Sequence, residues 1–203
     1  MIIETKISKR RITYKYAMKV LNNRVEKLKT GKGRELIWIL EHPTTYTAGI
    51  RSSNNDILDK NINIIKTNRG GKITLHNPGQ KIIYFVINLN KRKKDIRRLV
   101  NILEKSIIQF LQIYNIVAKR DKKNIGIWVG NKKIAAIGIR VSRWIAYHGC
   151  SINIDNNLDN YLKINPCGLS NKKVTSMSFE NKQIFKNINF NLKKVFLNNI
   201  SKV

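Results

Sequence analysis

Apolar residues recur at helical spacing in three stretches of this chain. Over residues 14–28 they stand at Tyr14, Ala17, Met18, Leu21, Val25 and Leu28, one stripe on a helix that Gly31 and Gly33 then break. Over residues 95–114 the stripe is Leu99, Ile102, Leu103, Ser106, Ile107, Phe110, Leu111 and Tyr114, behind an Asp95 whose carboxylate suits an N-cap. Residues 185–200 repeat the spacing at Phe185, Ile188, Leu192, Val195, Phe196 and Asn199.

Between these stretches lie apolar runs too short for helices. ELIWIL (35–40), closed by His42-Pro43, and KIIYFVINL (81–89) predict buried strands. Residues 125–129 and 133–141 flank Gly130-Asn131 and read as a hairpin, and 145–154 as a further strand. Residues 44–59 are polar with one apolar patch and read as a loop. TNRGGKITLHNPGQ (67–80) concentrates Gly, Asn and Pro, and Asn165-Pro166-Cys167-Gly168 reads as a turn. No repeat of solenoid length is visible. This order predicts a single α/β (α+β) domain over residues 1–203, a mixed sheet with helices packed on it.

Composition adds charge to this picture. The 203 residues are 42% hydrophobic, enough for a core, yet 40 Lys and Arg against 12 Asp and Glu leave a formal charge of +28. Such a balance points to an anionic partner. Lys, Asn and Ile also crowd together as they do under AT-rich codon usage, which accounts for much of the surplus without function. A nucleic-acid-binding module fits the charge and the basic setting of Trp128 and Trp144, but helix-turn-helix, zinc-finger and RNA-recognition signatures are missing. Two cysteines, Cys150 and Cys167, are too few for a disulfide framework and lack metal-site spacing, so no metal is expected and a reducing cytoplasmic setting is. The sequence offers no run near the ~20 apolar residues of a membrane span and no leader-like start.

Three features could carry chemistry. The loop Arg69-Gly70-Gly71-Lys72-Ile73-Thr74-Leu75-His76 has glycines that let backbone approach a ligand, with Arg69 as a cation and His76 as a titratable donor. Cys167 sits between Pro166 and Gly168, where backbone amides could face an acyl oxygen. Lys133, if placed beside it, would favour the thiolate and carry protons. Each feature alone also has an ordinary structural explanation: a turn, a buried thiol, a solvated charge.

Together, EHPTTYTAG (41–49), RGGKITLHNPGQ (69–80), GIWVGNKKIAAIGIRVSR (126–143), HGCSINI (148–154) and INPCG (164–168) resemble the lipoyl(octanoyl) transferases, in order and spacing over nearly the whole chain. The resemblance implies the catalytic fold of biotin and lipoate protein ligases and an acyl-enzyme mechanism without ATP, cofactor or metal. It implies octanoyl-acyl carrier protein as donor. The acceptors would be the lipoyl domains of 2-oxoacid dehydrogenase E2 subunits and the glycine cleavage H protein, in the first step of endogenous protein lipoylation. Cys167 matches the family's nucleophile and Lys133 the lysine that lowers its pKa. Residues 69–76, with Ala136, Ile137, Gly138, Gly149, Cys150 and Ser151, match its acyl-binding positions. Leu75 stands where the family commonly has Tyr, and Asn77 where it has Gly, which leaves the fine shape of the pocket open. An ATP-dependent lipoate or biotin protein ligase would explain the glycine loop and Lys133 but gives no reason for Cys167.

Overall fold

The computed structural model describes residues 3–121, 124–166 and 173–203. The chain runs β1 (Ile3–Ile7), α1 (Tyr14–Lys29), β2 (Glu35–Leu40), β3 (Thr45–Ala48), β4 (Ile64–Lys66), β5 (Ile73–His76), β6 (Gln80–Asn88) and α2 (Ile96–Gln112). It continues through β7 (Lys119–Arg120), β8 (Ile127–Val129), β9 (Lys132–Ser142), β10 (Ile145–Asn153), α3 (Met177–Glu180) and α4 (Ile188–Ile200). α1 and α2 start where short polar side chains can take an orphan amide: the Thr13 hydroxyl accepts from Tyr16 N at 3.4 Å, and Asp95 Oδ1 from Arg98 N at 2.9 Å.

Among the described residues one sheet has the order β1-β2-β6-β10-β9-β8-β7 and a smaller one the order β4-β3-β5. β1 lies parallel to β2, and the other neighbours in the large sheet are antiparallel, so the sheet is mixed as expected. ELIWIL has no polar side because both its faces are covered. Ile37 and Ile39, with Ile83 and Phe85 of β6, join the core formed by Leu103, Ile107 and Phe110 of α2 and Leu192 and Phe196 of α4. Leu36, Trp38 and Leu40, with Ile82 and Tyr84, meet Ala17, Leu21, Val25 and Leu28 of α1. Glu35, buried at the start of β2, is held by a two-pronged ion pair with Arg92 and accepts from Asn88 N at 2.8 Å.

Two stretches read as loops contain strands. β3 and β5 pair from Thr45↔His76 to Ala48↔Ile73, and bury Tyr46, Ile73 and Leu75 with Tyr161 and Ile164 in a third apolar cluster. Four residues rich in Thr carry too little alternation to stand out, and each strand is completed by the other. The last helix begins at Ile188 rather than 185, because Asn187 turns the chain with φ +59°. No helix among the described residues is long and apolar enough to cross a membrane.

Candidate active site

Two rows of residues across the α1 face of the large sheet shrink from one side to the other. Trp38, Tyr84, Gly149 and Gly138 lie in register, and beside them Leu40, Ile82, Ser151 and Ala136. Large side chains under α1 thus give way to almost none over β10 and β9, leaving a trough. Larger residues are kept out by backbone proximity: a Cβ on Gly149 would lie 1.9 Å from the Ile83 carbonyl oxygen, and one on Gly138 3.0 Å from that of Gly70. The glycine loop roofs the trough, with Gly70 N donating to Ile139 O at 3.1 Å and Gly71 at φ +90°.

The cavity is about 240 Å³ and opens to solvent. It is lined by Arg69, Gly70, Gly71, Lys72, Ile73, Thr74 and His76 of the loop, by Ala136, Ile137, Gly138, Gly149, Cys150 and Ser151, and by Lys133. Leu75 does not line it; this side chain is fully buried with Tyr46, Tyr161 and Ile164 behind the loop. Cys167 and Gly168 lie outside the described residues. Cys150, in the cavity wall, packs its side chain into the core on the α2 side, and burial pushes its thiol well above the ordinary range, so it stays neutral.

Two neighbouring lysines on β9 have opposite surroundings. Lys132 pairs with Glu180 at 2.5 Å and lies over the Phe179 ring. Lys133 is 8% exposed, donates from Nζ to Ile125 O at 2.9 Å and sits 5.4 Å from the centre of the Trp128 ring. Gly126 makes room for it, since a Cβ there would lie 2.4 Å from Lys133 Cε. The Lys133 backbone is bridged to Val174: its amide donates to Lys173 O and its carbonyl accepts from Thr175 N, both at 2.9 Å. The chain leaving residues 167–172 therefore returns alongside Lys133. Arg69, 8% exposed, donates to the Thr47 carbonyl at 2.7 Å and to the Thr47 hydroxyl at 2.8 Å, which ties the loop to β3.

All three histidines of the chain gather on this side, and burial keeps them neutral. His42 donates from Nδ1 to Ile12 O at 2.5 Å and accepts at Nε2 from the Tyr84 hydroxyl at 2.9 Å; burial brings its pKa to about 4. His76, 5.6 Å from His42 between ring centres, is brought to about 3 by burial, reinforced by His42 and Arg69. His148 is also held at about 3, by burial and then by Arg69 and Arg140. His76 is thus a neutral ring near neutral pH. Its Nδ1–H donates to Gln80 Oε1 at 2.8 Å, leaving Nε2 as an acceptor.

The cavity also takes residues that sequence reasoning did not single out: Tyr14, Arg51, Ile82, Tyr84, Asn124, Ile125 and His148. Most sit in elements read simply as core. His148 carried a signal in its place before Gly149; within β10 it has φ +70°, its ring stacks on Tyr147 at 4.8 Å, and its Nε2 lies 2.7 Å from Asn68 Oδ1 at the start of the glycine loop.

Residues 13–195 match the family described as the lipoyl protein ligase A/B catalytic domain. The chain is 42% identical to an octanoyltransferase of the Wolbachia of Brugia malayi over 87% of this chain and 88% of the relative. It is 41% identical to an octanoyltransferase of Anaplasma phagocytophilum over 97% and 98%. Among solved structures, a lipoate-protein ligase A bound with ATP superposes with a TM-score of 0.76 at 13% identity, covering 98% of this chain and 86% of that one, which shows a shared fold.

Proposed function

The chain belongs to the lipoyl protein ligase A/B catalytic domain family, and we propose that within it this protein is an octanoyltransferase that works through a thioester on Cys167. The observation that carries this reading is that a trough floored by Gly138 and Gly149 and the buried Lys133 line one cavity, beside the chain that leaves the Cys167 segment. Curated relatives above 40% identity are octanoyltransferases, which favours acyl transfer over ATP-dependent ligation on the shared fold.

In the first step the Cys167 thiolate attacks the carbonyl carbon of octanoyl-acyl carrier protein. A new C–S bond forms to Cys167, the bond to the carrier breaks, and the carrier thiolate leaves with the proton of the Lys133 ammonium, which becomes a neutral amine. In the second step a neutral lysine amine of a lipoyl domain attacks the same carbon, Cys167 departs as thiolate, and the proton shed by nitrogen passes through Lys133. One thioester exchanged for another is nearly balanced, and the amide is more stable, so no nucleotide is needed. Lys133 beside Cys167 favours the thiolate. Amides near Cys167 and Gly71 receive the oxyanion, each worth ~3 to 4 kcal/mol. The trough takes the octanoyl tail at ~0.8 kcal/mol per buried CH₂. The acceptors are lipoyl domains, those of 2-oxoacid dehydrogenase E2 subunits and the glycine cleavage H protein.

Intact-protein mass spectrometry after incubation with octanoyl-acyl carrier protein tests the reading. One octanoyl increment is expected without nucleotide or magnesium, lost in Cys167→Ala and discharged by a lipoyl domain. An absolute ATP requirement, or an increment that survives Cys167→Ala, would overturn it.

A further inference from the structure

The Gln80 side chain is fully buried where β6 begins beside the end of β10. Its Nε2 shares two hydrogens among three acceptors, Asn153 Oδ1 at 2.8 Å, the Tyr161 hydroxyl at 3.0 Å and Leu75 O at 3.2 Å, while Oε1 accepts from His76. Asn153 donates in turn from Nδ2 to Thr175 O at 2.9 Å. Backbone carbonyls can only accept, so Leu75 and Thr175 fix which way both amides face.

Tyr161 precedes residues 167–172 and Thr175 follows them. On the entering side the backbone is tied to a distant loop, with Asn165 N donating to Asp56 O at 2.8 Å. On the leaving side Thr175 N donates to Lys133 O. Gln80 and Asn153 join these two ends inside one buried hydrogen-bonded unit. Apolar replacements would leave the Leu75 and Thr175 carbonyls without these donors and the Tyr161 hydroxyl unanchored.

We propose that the Gln80–Asn153 amide pair is a positioning unit for the reaction: it fixes Tyr161, ahead of residues 167–172, and Thr175, behind them and bonded to Lys133 O, to the paired ends of β6 and β10, and so sets the nucleophile relative to Lys133. The inference rests on Cys167 being the nucleophile. It assigns Gln80 and Asn153 no contact with substrate.

Gln80→Met keeps side-chain length and removes the hydrogen bonds; Tyr161→Phe removes the hydroxyl on the entering side alone. Acyl-enzyme formation in Gln80→Met should slow by about 10- to 100-fold, as expected for a small misplacement of reacting groups, with KM for the octanoyl donor unchanged. Iodoacetamide labelling of the Cys167 peptide should shift to higher pH, a change that loosened packing alone would not produce. Tyr161→Phe should move both readouts the same way by less. A folded Gln80→Met with wild-type acylation and labelling profile overturns the inference, and should that variant fail to fold, an unchanged Tyr161→Phe overturns it. Octanoyl loading that persists in Cys167→Ala removes the underlying reading as well, whereas loss of loading there together with unchanged profiles in the positioning variants sinks the inference alone.

Discussion

On the face of the sheet turned to α2 and α4, a row across the strands is filled by Ile39, Ile83, Cys150 and Ile137. One residue away, on the α1 face, the corresponding row is Trp38, Tyr84, Gly149 and Gly138. The same four strands make a dry core on one side and a ligand-sized gap on the other, and the difference lies in side chains removed rather than reactive groups added. The polar and titratable groups then settle around the gap: His42, His76 and His148 are all on that side, and the α2 core has no histidine.

This asymmetry should be most visible in acid. The folded values of the three histidines lie at about 3 to 4, below the usual 6.5, so the unfolded chain takes up protons that the folded one does not as pH falls. Stability present above pH ~6.5 is therefore lost progressively down to about pH 4 for His42 and about pH 3 for His76 and His148, at up to ~1.4 kcal/mol per pH unit for each. Urea melts at pH 7 and pH 5 would measure the loss. Hydrogen exchange at pH 5 should open β5, β10 and the glycine loop before α2 and α4, and simultaneous opening would break the comparison.

Lys133→Ala should lower turnover by ~10² to 10⁴-fold, the usual contribution of a proton-transferring group, and shift Cys167 labelling to higher pH. Lys133→Arg should recover labelling more than turnover, and Lys132→Ala should leave labelling in place. Identical behaviour of the Lys132 and Lys133 variants would remove any special role for the buried one.

Substitutions on the two faces should separate stability from activity. Phe110→Ala, in the filled core, should cost ~3 to 5 kcal/mol by chemical denaturation and leave turnover per folded molecule unchanged. Gly138→Ala, where the Gly70 carbonyl must give by tenths of an ångström, should cost less than ~3 kcal/mol but slow octanoyl transfer about tenfold. Hexanoyl should suffer less than octanoyl; equal losses would mean the tail does not lie over Gly138.

The smallest effect concerns the +28 charge. Capture of acidic carrier and lipoyl domains should slow on the order of tenfold from low to high salt, with the acyl-enzyme steps little altered. Capture that is flat with ionic strength would leave the charge to codon usage.

The parts of the fold legible in the sequence were those with strong periodicity or none. The stripe of α2 and the apolar runs of β2 and β6 fold as their patterns predict, since each has enough residues to declare its burial. β3 and β5 escaped because four residues of mixed Thr and apolar character make a strand only when paired. At the site, the loop from Arg69 to His76 announced itself through its glycines. Tyr84 and Ile82 did not, because a residue that walls a cavity and one that fills a core look alike in a strand. Nothing in the sequence shows that Gln80 and Asn153 meet, since 73 positions separate them and the antiparallel pairing of β6 with β10 joins them.

The paired glycines of β10 and β9 also set the cross-section of whatever enters. Strands lie ~4.8 Å apart and residues on one face recur every ~7 Å, so two strands that carry only Gly149, Gly138, Ser151 and Ala136 over two rows leave a shallow groove about 10 Å by 7 Å. It is bounded by Tyr84 and Ile82 on one flank and by the Gly70 backbone above. A straight methylene chain can lie in such a groove in single file. A methyl branch at mid-chain would press on either the Tyr84 ring packed under α1 or the Gly70 backbone, so the site should discriminate against branching more sharply than against one carbon more or less.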